Sequence, residues 1–116
     1  MTATLHIKPP RRGERSHGGW WLAVAAGTQK ALDDKPYAMF DGPIKVDAEF
    51  KLPRPEARSR DHYHQTSPDI FLLADSLKGL GDGKLFSRPT QVIELNVTKG
   101  YGDGYDVGVD VEVSGG

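Results

Sequence analysis

The stretch "IKVDAEFKL" (44–52) alternates without a break. Ile44, Val46, Ala48, Phe50 and Leu52 fall on one side, and Lys45, Asp47, Glu49 and Lys51 on the other. A period of two sustained over this length marks a strand with one face in a core and the other in water. A single strand cannot bury that face alone, so the rest of the chain must supply partners. "VGVDVEV" (107–113) repeats the pattern with four valines on one side. "QVIELNVT" (91–98) sets Ile93, Leu95 and Val97 opposite Val92, Glu94 and Asn96. "TLHI" (4–7) reads as a short first strand, stopped by Pro9 and Pro10. The glycine-rich "KGYGDGYD" (99–106) reads as a turn that makes the last two strands an antiparallel hairpin.

Two segments between the strands have helical character. "WWLAVAAGTQKAL" (20–32) groups Trp21 with Ala25 and Thr28, and Val24 with Gly27 and Leu32. Gly27 weakens that helix by about 1 kcal/mol relative to alanine. "SPDIFLLADSLKGL" (67–80) opens with a helix-start signal. Ser67 is placed to cap, Pro68 fits the first helical position and Asp69 falls in the first turn. This helix is expected to fray between Gly79 and Gly83. "RRGERSHGG" (11–19), "DDKPYAMFDGP" (33–43) and "PRPEARSRDHYHQT" (53–66) read as loops and connections. The order is β-α-β-α-β-β, which predicts an α+β fold with two helices packed on one face of a small mixed sheet.

At 116 residues the chain has room for one core, so residues 1–116 are expected to form a single domain. Its hydrophobic fraction is 37%, and 14 glycines and 8 prolines make it loop-rich, so a modest core and burial between two copies are expected. There is no cysteine, which excludes disulfides and thiolate zinc sites. No apolar run approaches the ~18 residues of a membrane span and no signal peptide is visible, so a soluble cytoplasmic protein is expected.

The formal net charge is −1, which by itself argues against strong nonspecific nucleic-acid binding. The distribution is more informative than the sum. "KPPRRGER" (8–15) carries Lys8, Arg11, Arg12 and Arg15 against Glu14, and "KLPRPEARSR" (51–60) carries Lys51, Arg54, Arg58 and Arg60 against Glu56. Beyond residue 100 there is no lysine or arginine, only Asp103, Asp106, Asp110 and Glu112. Such a chain either presents a basic face or carries solvated basic loops.

Few local motifs carry chemistry. "RDHYH" (60–64) places His62 and His64 on one side of an extended loop near Asp61 and Asp69, but no further ligand has metal-site spacing. "DGK" (82–84) and "DGYD" (103–106) are turn sequences that lack the glutamate of a calcium loop. No phosphate-binding glycine loop, nucleophile elbow or dinucleotide fingerprint occurs. Of the adjacent Trp20 and Trp21, one ring is expected in the core and one at an edge or interface.

Three longer stretches, "FDGPIKVDAEFKLPRP" (40–55), "HYHQTSPDIFLL" (62–73) and "LFSRPTQVIELNVTKGYG" (85–102), occur in an order that resembles the RusA family of crossover junction endodeoxyribonucleases, common in phages and prophages. The resemblance covers roughly residues 40 to 113. It implies a homodimer that binds branched or duplex DNA, acts in recombination and repair, and hydrolyses a phosphodiester with magnesium held by clustered aspartates. A hard divalent cation needs several oxygen ligands to stabilise the attacking and leaving oxygens.

Carried over by position, the family's first aspartate is Asp69, which the resemblance implies as a catalytic and metal-binding residue. The second falls on Phe71, the following Asn/Lys position on Leu72, a later pair on Arg88 and Pro89, and the acid near the helix end on Gly79. The resemblance therefore implies a divergent homologue, impaired or inactive in cleavage, that binds DNA through Arg54, Arg58, Arg60, Arg88 and Lys99. Two alternatives stand beside it. One is an active nuclease with a rearranged site drawn from Asp69, Asp75, Asp82 and Glu94, although Asp69 and Asp75 would lie ~120° apart around a helix. The other is a repurposed phage protein that binds a host protein.

Overall fold

The computed structural model describes residues 2–11, 17–34, 39–53 and 68–115, with the side chains of His17 and Tyr105 left aside. It is an α+β fold. Strand β1 (Thr2–Ile7) leads to helix α1 (His17–Asp34) and strand β2 (Ile44–Pro53). Helices α2 (Ile70–Ser76) and α3 (Gly79–Asp82) follow, then strands β3 (Val92–Gly102) and β4 (Gly108–Gly115). The order β-α-β-α-β-β is as the sequence predicts, with the second helical region split in two.

The four strands form one mixed sheet in the order β1-β4-β2-β3. β4 lies antiparallel between β1 and β2, whereas β3 runs parallel to β2 at the edge. The expected β3–β4 hairpin does not form. β3 continues through Lys99–Gly102, which pair with Phe50–Pro53, and a short 3-10 turn at Gly104–Asp106 carries the chain past β2. Side-chain chemistry explains the exchange. β4 offers Val109, Val111 and Val113, all buried, and so takes a central position, while β3, with Glu94, Asn96 and Thr98 in water, tolerates the edge.

β2 has the alternation read from the sequence, with Ile44 to Leu52 inward. β3 does not. Ile44 pairs with Val92 but Lys45 pairs with Glu94, so Ile93 is an extra, bulged residue. The bulge shifts the phase and puts Val92 on the same face as Leu95 and Val97.

The core lies between the inner face of the sheet and the helices. α1 buries Trp20, Val24 and Thr28, one residue out of step with the predicted Trp21 face. The Trp20 ring meets Phe50 edge-on, with centroids 5.3 Å apart. Trp21 is half-buried, donates Nε1–H to Asp82 and lies under Lys78 Nζ at 5.8 Å from the ring centroid. α1 starts at His17, so Gly18 and Gly19 are helical and not loop residues. The glycines expected to fray α2 do the opposite. A Cβ at Gly79 would stand 2.6 Å from the Trp21 carbonyl oxygen, so its absence lets α3 dock directly on α1.

Candidate functional site

The helix start at Asp69 is two residues later than predicted. Asp69 is itself the N-cap, in extended conformation (φ −75°, ψ 158°), and its Oδ1 accepts from the Leu72 backbone N–H at 2.8 Å. Pro68 lies outside the helix, where its carbonyl accepts from Lys99 Nζ at 3.1 Å. β3 and the start of α2 are thereby joined by a charge-assisted hydrogen bond. Ser67, the predicted cap, lies outside the described residues, as do Arg54, Arg58, Arg60, Asp61, His62 and His64.

A groove of about 430 Å³ runs between α2 and β3. Phe71, Ala74 and Leu77 form its helix side, and Pro89, Val92 and Leu95 its strand side. Phe71 and Pro89 are two of the positions to which the resemblance assigns magnesium ligands, and the fold brings them together. What meets there is a ring and a pyrrolidine. Asp75 is the carboxylate among the groove's lining residues, and it pairs with Lys78 at 2.9 Å.

The remaining acids of a rearranged site are dispersed. Asp82 sits in α3 against Trp21, and Glu94 lies on the outer face of β3 beside Lys45. Among the described residues, no three His, Asp or Glu side chains converge as metal ligands. Among the described residues, the positions assigned as companions of Asp69 carry no side-chain oxygen donor, so they do not make up a magnesium ligand set with it. Arg88 is exposed and opens the 3-10 turn Pro89–Gln91.

That turn has a residue whose role the sequence did not disclose. Gln91 is buried, and its Oε1 accepts from the Ser87 and Arg88 N–H groups and from Ser87 Oγ at 2.8–3.0 Å. Its Nε2 donates to the Phe40 and Gly42 carbonyls at 3.0 Å each. One amide thus ties the entry of β3 to the entry of β2. A glutamine ahead of a strand carries no local signal for such a role.

Among the described residues, acids gather on one face of the sheet. On the water side of the sheet, Asp47 stands opposite Glu112 and Glu49 opposite Asp110. Like charges directly opposite repel. Asn96 Nδ2 relieves Asp47 at 2.9 Å, and Asp110 is held by His6 Nδ1 at 2.6 Å and Lys51 Nζ at 3.1 Å. Burial raises the Asp110 pKa, but the hydrogen bonds from His6 and Lys51 outweigh it and bring the carboxyl below its ordinary value. The hydrogen bond with Asp110 and its charge raise that of Lys51. This acidic surface repels phosphate. No helix among the described residues is long and apolar enough to cross a membrane.

Comparison with protein-family models and with curated proteins finds no match for the chain.

Proposed function

We propose that this chain is a RusA-like protein that grips branched DNA as a homodimer in the cytoplasm of a bacterial host, with magnesium-dependent cleavage impaired or lost. One observation supports it above others. Phe71, two residues beyond Asp69, and Pro89, at positions the resemblance gives to metal ligands, line one groove, yet they are apolar. A scaffold that still gathers these positions while replacing their carboxylates is what loss of hydrolysis on a retained fold would leave. Arg88 and Lys99 border this region and would meet phosphates, together with Arg54, Arg58 and Arg60 of the preceding segment.

The test is fluorescence anisotropy with a synthetic four-way junction, beginning at about 50 mM salt. Binding that weakens steeply as salt rises, with no cleavage in magnesium or manganese, is the expected result. Absence of binding at that salt overturns the DNA reading. Magnesium-dependent cutting that Asp69→Asn abolishes overturns the loss of hydrolysis.

A second reading is favoured by the exposure of Phe71 (83%), Ile93 (61%) and Leu95 (45%) around the groove. In that reading a host protein occupies this strip and the arginines are incidental. The same titration separates the two, because a host-binding protein would leave the junction probe unbound.

A further inference from the structure

A cleft of about 920 Å³ lies at the opposite edge of the sheet from Asp69 and Arg88, between the end of β1 and one side of α1. Three strand spacings, about 14 Å, separate the two edges. Its wall is apolar, made by Pro9 from the chain after β1 and by Leu22, Ala23 and Ala26 from α1. Leu22 is 71% exposed. Three cations border it: Lys8, Arg11 and Lys30. None of the three has an ion pair or hydrogen bond among the described residues. Asp34 is the acid among the lining residues, and the lining histidine, His6, is bonded to Asp110.

The chain positions of two of these cations follow from the packing. A Cβ at Gly27 would stand 2.5 Å from Ile7 Cγ2, so the missing side chain lets α1 rest directly on the end of β1. Lys8 follows Ile7 in the chain and Lys30 lies within one turn of Gly27, so a single contact sets both at the same crossing. Three cations against the one acid Asp34 leave the described lining net positive, and an anion offsets that charge.

We infer that this cleft binds a nucleoside phosphate, with Lys8, Arg11 and Lys30 taking the phosphate and the apolar wall taking the base and sugar. The charge balance of three cations against Asp34 suits a doubly charged phosphate ester better than a carboxylate. The volume lies within the range of small-ligand sites, and apolar walls with a few convergent charged groups are their usual make-up. An inorganic anion would leave the wall unused, and an uncharged ligand would leave the cations unused. The same chemistry is offered by a free nucleotide or by a single-stranded nucleic acid. The inference does not depend on the junction reading, which concerns the other edge of the sheet.

The experiment is a titration of the full chain, followed by methyl and amide NMR, with adenosine monophosphate, octathymidylate and inorganic phosphate in separate arms. Adenosine monophosphate or the octamer is expected to shift Leu22, Ala23 and Ala26, whichever binds more tightly identifying the source. Either should bind at least tenfold more tightly than phosphate alone. Lys30→Glu, at an exposed helical position, should weaken binding tenfold or more. Ala26→Phe should block the nucleotide by filling the wall without altering any charge. Circular dichroism of both variants confirms that the fold is kept. The inference is overturned if neither ligand shifts these residues at millimolar concentration, if phosphate binds as tightly as the nucleotide (an adventitious ion only), or if Lys30→Glu has no effect.

Discussion

Asp69 shows how far one carboxylate can be from the role its position suggests. Its Oδ1 satisfies the Leu72 N–H, one of the donors left open at a helix start. Asp69→Ala is therefore expected to cost about 0.5–2 kcal/mol and Asp69→Asn to cost little, by urea unfolding. Equal losses for the two would mean that charge, and not capping, sets its contribution. The sequence marked a helix start here but misplaced it, because the bond from Lys99 that holds Pro68 outside the helix joins residues 31 apart. Asp110 gives a second test at this scale. Its folded pKa is lowered, so its contribution is present above the unfolded value of about 4 and is lost as pH falls through the folded one. Lys51 is raised, so its share is present below about 10.4 and is lost as pH rises through its folded value. Asp110→Asn should thus be less stable than the parent at neutral pH, with the gap closing in strong acid. Urea midpoints across the acid range check this, and a gap that widened on acidification would contradict it.

Elements were legible in the sequence where one face decides their residues, and illegible where packing across the chain decides. The alternation of β2 survives intact because helices cover one side and water the other. β3 reads as a clean alternation too, yet the bulge at Ile93 reverses the phase of Val92, and no local feature announces it. The hairpin expectation failed because the competition between β3 and β4 for the central place is settled by valine burial, a comparison that no turn sequence contains. α1 shows the same limit. Gly27 looks like a weak point by helix propensity, but it is where β1 approaches the helix. Gly27→Ala gains about 1 kcal/mol of propensity and forces buried Ile7 to move. The expected outcome is a net loss of up to about 2 kcal/mol by chemical denaturation. Ile7→Val on the Gly27→Ala background should recover part of it by making room. A Gly27→Ala protein more stable than the parent would mean that the helix is not seated on β1 as described.

At the scale of the whole molecule, the sheet has an acidic face in water, a helix-covered face, and an edge at β3 that no strand pairs with among the described residues. Natural sheets protect such edges with charge, twist or a cover. Here the edge instead carries exposed Ile93 and Leu95 with Phe71 beside them, and each would gain on the order of 1–2 kcal/mol from burial. An antiparallel β3–β3 pairing centred on Asn96 would set Leu95 opposite the partner's Val97 on the helix-covered face. That arrangement is self-complementary, as a two-fold interface requires. The prediction is a particle of twice 12.7 kDa by light scattering at micromolar concentration. Leu95→Lys should return it to 12.7 kDa, and Phe71→Asp should loosen it, with far-UV circular dichroism unchanged because neither side chain is part of the buried core. A parent chain that scatters as a monomer would remove the dimer from the proposal while leaving each helix and strand as it is. The DNA titration would then decide alone between a junction-binding protein and one whose apolar strip awaits a different chain.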